Sequence, residues 1–355
     1  MSGLLRGSVA GLLVAVLALA IAWLAFDLLV IGYGESPHQL IVLLVRGTWG
    51  TAYGIGQVLY KATPLLFGGI AVSIALRAGL FNVGVEGQMS IAALGAAVVA
   101  ARLSGLSPWL AVPIALAAAA LFGALWAAPA ALLRARRGVH EVIATILLNR
   151  VADGVVTFLL AAGLALPASV RTPAIAPSTR LARLETVVPA LAGSAVSYAL
   201  PLGVALLLLW SVSARWTRLG RELEQVAQGP EACAAEHIPV ARRRFEALVL
   251  SGAVAGLAAS ATVFGYKGAF EQGLGAGAGF ISIAVALLGR GSFGGLLAAA
   301  LLLGTLQQGG LVINARVPME IIDVVSAVLI VAVAIADRKL TRLFGALDHE
   351  RRLAA

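Results

Sequence analysis

Long apolar runs, separated by short polar or glycine-rich segments, follow one another along almost the whole chain. An α-helix needs about 20 predominantly apolar residues to cross the hydrocarbon core of a bilayer, and all but one of the runs approach that length. The pattern predicts about ten transmembrane helices, the eighth of them short, at 9–31, 62–79, 86–103, 109–133, 141–164, 196–214, 247–265, 279–289, 294–313 and 320–337.

Composition supports the same class of protein. Hydrophobic residues make up 60% of the 355-residue chain and charged residues 12%, and the mean hydropathy is +0.96. Such a chain is embedded in a membrane and leaves no room for a large soluble domain. Aromatic residues reach only 6%, while Ala, Leu, Val and Gly dominate, which suits closely packed helices better than a β-barrel with aromatic girdles. We therefore predict an all-α polytopic membrane protein.

The distribution of positive charge predicts the orientation. Threading the runs from an inside N-terminus puts 17 of the 26 Lys and Arg residues on one side, eight on the other and Arg150 within a span. Because cytoplasmic loops carry the excess of Lys and Arg, both termini are expected in the cytoplasm. This asymmetry also accounts for the net charge of +9, so we expect no nucleic-acid partner. The first run is interpreted as a retained span, with a cleaved signal peptide as the alternative.

The runs are expected to form one transmembrane domain over 1–355. Its predicted parts are a first span with an external segment at 1–61, a first half at 62–214, a cytoplasmic loop at 215–246, a second half at 247–337 and a cytoplasmic tail at 338–355.

Two glycine-broken segments interrupt the apolar pattern. The first, Gly79–Gln88, carries Asn82 and Glu86 between two spans. Backbone groups freed by a broken helix cannot reach water in hydrocarbon, and polar side chains are costly there, so such a segment is tolerated only where it faces protein or a water-filled path. The second, 273–295, occupies a similar place in the second half. Paired breaks point to an inverted repeat with a pathway at its interface.

Two loops are long enough to carry a function. The outside loop 165–194 holds four prolines and mixed charge, which is typical of an irregular cap that meets an external partner or simply connects two spans. In the cytoplasmic loop 215–246, Gly229-Pro230 opens a short Ala-rich helix that Pro239 closes. A helix this short is not stable alone in water, which favours docking on a partner over a solvated linker.

Sequence motifs for catalysis or metal binding are missing. The three lysines follow Tyr or Arg, so there is no Gly-Lys-Ser/Thr P-loop, and the single cysteine and four scattered histidines lack metal-ligand spacing. The G-x-G-x-x-G at Gly289, Gly291 and Gly294 lies between two spans, without the βαβ context of a dinucleotide site. Arg150 and Asp153 lie three residues apart in the fifth span, where we expect them to neutralise each other. We expect no catalytic residue and no metal site.

Four sequence blocks resemble one known family, in the same order. They are AGLFNVGVEGQ at 78–88, EVIATILLN at 141–149, GPEACAAEHIPVARRRFEALVLSGAVAGLAA at 229–259 and GFISIAVALLGRGSFGG at 279–295. Through them the chain strongly resembles the permease subunit of bacterial ABC importers for nucleosides and simple sugars. The first block favours the nucleoside branch.

The resemblance implies an inner-membrane permease with a type II-like importer fold that is not itself an enzyme. Its expected partners are an ATPase subunit, a second permease chain and an external binding protein or lipoprotein. A related second permease is favoured over a homodimer. No cofactor is expected on this chain, because ATP and Mg²⁺ would bind the ATPase.

Two sets of functional residues accompany this interpretation. For substrate contact we expect Phe81, Asn82, Glu86, Gln88, Asn149 and Phe280. Their amides and carboxylate would bond ribose hydroxyls or base edges and their rings would stack on a base; the alternative is that they cap the breaks or join helices. The coupling helix, which would dock on the ATPase and turn its closure into rocking of the spans, is expected at Gly229, Pro230, Glu231, Ala232, Ala235 and Ile238.

Other functions stay open at this point. An ion-coupled secondary transporter would hold substrate and a cation at the two breaks, but it leaves the helix at 229–241 unexplained. A membrane scaffold or a membrane-embedded enzyme is a further alternative, although the enzyme would lack any recognisable set of catalytic residues.

Overall fold

The computed structural model describes residues 2–275, 277–329, 331–332 and 335, with side chains described from residue 16 onward. Within these ranges the chain is helical and has no β-strand, although two isolated β-bridges join loop residues. The helices are α1 (Ser2–Gly32), α2 (Pro37–Thr48), α3 (Ala52–Arg77), α4 (Val85–Ala100), α5 (Pro108–Arg137), α6 (Glu141–Leu159), α7 (Ala199–Trp216), α8 (Arg218–Gln228), α9 (Pro230–Ala235), α10 (Val240–Gly256), α11 (Ala278–Gly289) and α12 (Phe293–Ile313), and 320–329 are helical as well. The all-α prediction is confirmed.

Six helical segments in the described part of the chain are long and apolar enough to cross a membrane. They are Ala52–Arg77, Pro108–Arg137, Glu141–Leu164, Ala199–Trp216, Val240–Lys267 and Phe293–Ile313. Val16–Gly32 and Pro37–Thr48 pass the same test as a pair bent by 115°, while Val85–Ala100 and Ala278–Gly289 are shorter apolar helices. The chain is thus a multi-pass membrane protein, and the count of ten spans and the inverted repeat stay predictions.

The helices form two compact units. One contains the described residues of 1–50 and of the chain from 306 onward, and the other contains those of 51–305. In the first unit, Leu44 of α2 packs against Gly309 of α12. The predicted divisions at 62, 215 and 247 all fall within the second unit and stay predictions. The predicted tail at 338–355 lies outside the described residues.

Helix α3 begins well before the predicted start at residue 62. Its N-cap is Thr51, whose hydroxyl accepts a hydrogen bond from Gly54 N at 3.0 Å. Gly54 and Gly56 interrupt the run of large apolar residues, but both glycines are buried. A Cβ on Gly56 would fall within 3.0 Å of Ser194, so the glycine permits close packing. Tertiary contacts therefore extend a helix that the apolar pattern alone shortens.

The apolar pattern also fails to predict α2 and α8. Helix α8 carries mostly charged and polar residues and buries Leu223 and Val226 on one side. Such an amphipathic helix is too short and too polar to form an apolar run of spanning length, so the apolar pattern predicts a loop there.

Helices α5 and α10 pack closely through small residues. A Cβ on Gly252 would lie 2.5 Å from Ala127 Cβ, and one on Gly256 would fall within 3.0 Å of the Ala119 backbone. Because lipid is as apolar as the helices, close approach of backbones is a main source of helix association in a membrane. The contact holds α10 in the middle of the second unit, where it also packs on α3 and α4.

The loop between α6 and α7 is packed on neighbouring segments. It contains three single turns of 3₁₀ helix. Ile175 N donates to Gly268 O at 2.9 Å, and Leu181 N donates to Phe264 O at 3.0 Å. The loop is irregular, as predicted, and its role towards an external partner stays a prediction.

We expect Gly256→Leu to destabilise the protein, because a side chain there must separate α5 from α10 and overpacking of this kind costs about 1–3 kcal/mol. The matched control is Gly154→Ala on α6, since nothing lies within 4 Å of a Cβ at Gly154. Thermal unfolding of the purified proteins in detergent measures both. A Gly256→Leu protein that unfolds at the wild-type temperature would contradict the packing described for α5 and α10.

Candidate functional site

The first break follows directly from the way α3 ends. Leu80 N donates to Ala75 O at 3.0 Å and Gly79 N donates to Leu76 O at 2.9 Å, which is the Schellman arrangement of helix-ending hydrogen bonds. Gly79 takes the left-handed conformation that this ending requires, with a φ of +69°. The chain then stays non-helical until α4 begins at Val85.

A buried amide cluster holds the break in shape. Asn82 Oδ1 accepts a hydrogen bond from Gly84 N at 3.0 Å. Its Nδ2 donates to Ser251 Oγ at 2.9 Å and to Gln88 Oε1 at 3.0 Å. The Ser251 hydroxyl donates in turn to Ala71 O at 2.6 Å. Asn82 and Gln88 are only 0% and 2% exposed, so their polar groups are satisfied inside the protein, as hydrocarbon surroundings demand.

Asn149 on α6 secures the N-terminus of α4. Its Oδ1 accepts from Gly87 N at 3.0 Å, and its Nδ2 donates to Val83 O at 2.9 Å. Gly87 lies in the first turn of α4, where N–H groups have no partner within the helix. The buried Asn149 amide therefore bonds backbone on both sides of the helix start.

Glu86 links the two breaks. Its Oε1 accepts from Gly277 N and its Oε2 accepts from Gly279 N, both at 2.7 Å. These two N–H groups belong to the start of α11, whose N-cap Gly277 has no side-chain acceptor of its own. A carboxylate at a helix N-terminus meets unpaired donors and the positive end of the helix dipole. A Cβ on Gly279 would fall within 3.0 Å of the Glu86 backbone, so the glycine permits the contact.

A cavity of about 250 Å³ lies beside this contact. Its wall comes from α3, α4, α6, the end of the 240–267 segment and the chain at 270–278. Its lining combines polar with apolar side chains, among them Glu86, Ser90, Asp153, Thr262, Gln272, Met89 and Phe270. Carboxylate, amide and hydroxyl oxygens accept hydrogen bonds, so the wall suits a solute rich in O–H or N–H donors. In the described residues, no three His, Cys, Asp or Glu side chains lie together as metal ligands would.

The six predicted substrate-contact residues do not all lie at the cavity. Glu86 lines the cavity. The three amides surround the first break and bond its backbone or one another; they are Asn82, Gln88 and Asn149. Phe81 N donates to Glu141 Oε1 at 3.3 Å, away from the lining residues. Phe280 lies in the first turn of α11 with its side chain 45% exposed.

Sequence reasoning missed most of the cavity wall. Ser90 and Ala93 follow Glu86 at the spacing of one helix face, so the period of α4 is the signal that points to them. Arg150 and Asp153 form the expected ion pair, with Arg150 Nη1 and Asp153 Oδ2 3.9 Å apart and the side chains 86% and 61% exposed. This distance is too long for a hydrogen bond. Asp153 also lines the cavity.

The predicted coupling segment is a short surface helix. Helix α9 follows α8 after Gly229 alone, which agrees with the predicted position. Cys233 is the buried residue of α9, and Ile238 N donates to Cys233 O at 2.9 Å. Gly229, Pro230 and Ile238 are partly exposed, and the outward residues are Glu231, Ala232 and Ala235.

Glu222 ties α8 to α10. Its carboxylate accepts from Arg218 Nε at 2.5 Å and also from Arg243 Nε. The hydrogen bond from Arg218, joined by Arg243, lowers the pKa of Glu222 below its ordinary value. Because the pKa is lowered in the folded state, the link is complete above the usual pKa of a glutamate and is lost as the pH falls through the lowered value.

Known proteins resemble this chain over most of its length. Guanosine ABC transporter permease protein NupP of Bacillus subtilis is 33% identical over 336 residues, covering 91% of this chain and 93% of that protein. A glucose ABC transporter permease protein of Haloferax volcanii is 32% identical, with 83% and 80% covered. A nucleoside ABC transporter permease protein of Lactococcus lactis is 28% identical, with 91% and 90% covered.

Each of the three organisms has a second permease protein that also matches, at 27–28% identity. Residues 54–334 match the protein family described as the permease component of the branched-chain amino acid transport system. Since that match spans both breaks, the cavity and the coupling segment, the chain belongs to this permease family.

Proposed function

We propose that this chain is the permease subunit of an ATP-driven importer that carries nucleosides across the bacterial inner membrane. The observation that carries the proposal is the cavity between the two breaks, where Glu86 joins the start of α11. Polar breaks in membrane helices are tolerated where they line a path. Because the chain belongs to a permease family, we propose that a solute crosses the membrane along this path.

The side chains that line the cavity suit a small polar solute that also has an apolar part. Glu86, Asp153 and Gln272 offer acceptors for ribose hydroxyls, while Met89 and Phe270 offer apolar surface for a base. At about 250 Å³, the cavity lies just below the range of roughly 300–1,000 Å³ for ordinary small-molecule sites. The guanosine and nucleoside relatives favour a nucleoside, and the glucose relative makes a simple sugar the second candidate.

The other predicted contact residues keep a place in the proposal. Phe280 is exposed and follows Gly279, whose N–H donates to Glu86, and its ring is proposed to reach the path in another state of the transport cycle. Phe81 and Asn82 lie in the first break, Gln88 and Asn149 are hydrogen-bonded to it from α4 and α6, and we propose that these residues reach substrate in another state of the transport cycle.

The six coupling residues are proposed to meet a separate ATPase that binds ATP and Mg²⁺. Support comes from α9, a single short helix that exposes Glu231, Ala232 and Ala235 although it is too short to be stable alone. An external binding protein or lipoprotein is proposed to deliver the solute to the loop at 165–194. The membrane is proposed to be the bacterial inner membrane, with both termini in the cytoplasm.

A second permease chain is the remaining proposed partner. Arg150 and Asp153 are 86% and 61% exposed in the middle of a 24-residue apolar segment, and charged groups in that position are costly against lipid. A protein neighbour or a water-filled path would cover them. The paired permeases of the three relatives' organisms favour a related second chain over a copy of this one.

Ten spans in two inverted halves complete the proposal. The first break lies between α3 and α4, and the second begins between the 240–267 segment and α11. Glu86 of the first half then bonds the second half, as expected for a path at a repeat interface.

We expect Asp153→Asn to weaken uptake without loss of protein. Asp153 lines the cavity, and its ion pair with Arg150 is too long at 3.9 Å for a hydrogen bond, so its carboxylate oxygens can accept hydrogen bonds from a solute. Loss of a hydrogen bond to a charged group costs about 1.5–3 kcal/mol, which is a rise of about tenfold or more in the half-saturating concentration. Uptake of radiolabelled guanosine by cells that express the complete importer measures it.

Two further variants make this experiment specific. Asn82→Ala should instead reduce the amount of folded protein, because it leaves the buried break unbonded. Ser211→Ala removes a local hydrogen bond of the serine hydroxyl on α7 and should match the wild type.

The same uptake measurement separates an ATP-driven importer from a secondary transporter. Uptake that continues when ATP hydrolysis by the partner ATPase is blocked, but stops when an ionophore is added, would identify a secondary transporter.

We expect Glu231→Arg together with Ala235→Arg to release the ATPase. Both residues are exposed on α9, so the change alters the docking surface and leaves the fold intact. Purification of the tagged chain from cells that express the neighbouring genes should recover an ATPase and a second permease. The double variant should retain the second permease and lose the ATPase.

The matched control is Val187→Arg, at a position that is 66% exposed in the loop between α6 and α7, and this variant should keep both partners. Retention of the ATPase by the α9 double variant would refute the coupling role of this helix.

A further inference from the structure

We propose that Arg77 is a positioning residue that transmits movement of the coupling region to the first break, an inference that rests on the proposed function. Arg77 is the last residue of α3, directly before the turn at Gly79. It lies outside the cavity wall and is not expected to touch the solute.

The Arg77 guanidinium joins α3 to the corner between α7 and α8. Its Nε donates to Gly220 O at 3.0 Å, and its Nη2 donates to Ala214 O at 2.7 Å. The same Nη2 reaches Glu224 Oε2 at 2.8 Å. Ala214 lies in the last turn of α7, where carbonyls lack helical partners and a cation is favoured by the dipole. One side chain thus bonds both helices that lead into the coupling segment.

The break itself also touches α8. A Cβ placed on Gly79 would lie 3.1 Å from Ala227 Cα, so the turn is packed against the last turn of α8. Ala227 precedes Gly229 by two residues, and α9 begins immediately afterwards. The beginning of the break therefore rests on the helix that carries α9.

Helix α8 is bound on its other side as well. Glu222 accepts from Arg243 of α10, and Arg243 Nη1 also bonds Glu246. Helices α8, α9 and the start of α10 are therefore linked to one another by short connections and partly buried ion pairs. A displacement of α9 by a docked ATPase would move α8. The bonds of Arg77 and the contact of Gly79 would then transmit this movement to the first break and to the N-terminus of α4.

The chemistry of this contact favours arginine. A planar guanidinium can serve two carbonyls and a carboxylate from one rigid group, whereas lysine presents a single flexible ammonium. Arg77→Lys should therefore keep the charge but only part of the linkage, and Arg77→Gln should lose most of it.

The test uses the complete reconstituted importer and measures the amount of guanosine transported per ATP hydrolysed. We expect Arg77→Gln to assemble and hydrolyse ATP like the wild type while transport per ATP falls about tenfold, and Arg77→Lys to fall in between. Arg102→Gln is the matched control, because Arg102 donates only to Val98 O within its own helix end. An unchanged ratio in an assembled Arg77→Gln complex would overturn the inference.

A glycine pair tests the same link if Arg77→Gln fails to assemble. Gly79 and Gly138 both have left-handed φ values, of +69° and +67°, but a Cβ at Gly138 has nothing within 4 Å. Alanine at either position meets similar backbone strain, and only Gly79→Ala also presses on Ala227. We expect Gly79→Ala to lower transport per ATP well below Gly138→Ala, and equal ratios would overturn the inference. If the wild-type complex takes up neither guanosine nor glucose with ATP, the proposed function itself fails.

Discussion

Backbone groups that a broken helix releases must find partners within the protein, because hydrocarbon offers none. The arrangement around the first break follows from this constraint. Asn82 and Asn149 bond the freed backbone from inside, and Glu86 supplies the acceptors that the start of α11 lacks. The side chains that bond the freed backbone groups also fix the position of α4. The cavity wall, of which α4 is part, therefore depends on these hydrogen bonds.

Close packing provides the rest of the framework. The amide cluster needs α10 nearby, since Ser251 of α10 accepts from Asn82, and α10 is held by its glycine contact with α5. Glu86 can reach α11 because Gly279 has no side chain in the way. Small residues and polar bonds thus act together: the former allow the helices to approach, and the latter fix their register.

Features that depend on residues close together in the sequence could be predicted from it. Gly79 and the polar residues after it identify a break, and Gly229-Pro230 identifies the start of α9, because turn and cap chemistry depends on near neighbours in sequence. The backbone donors to Glu86, the place of Asp153 in the cavity wall and the partners of Arg77 could not be predicted, since each depends on segments that are far apart along the chain. Helix α8 was missed because its stability comes from tertiary contacts through Glu222 and Leu223 and not from an apolar run.

The central claim is that solute passes through the cavity beside Glu86. Its most direct test is the reaction rate of Ser90→Cys with a water-soluble thiol reagent in the assembled importer, on a Cys233→Ser background that leaves one thiol in this chain. The account predicts that the thiol reacts, that guanosine or glucose slows the reaction, and that the modified importer loses uptake. A thiol that reacts at the same rate with either solute present, in an importer that still transports after modification, would contradict it.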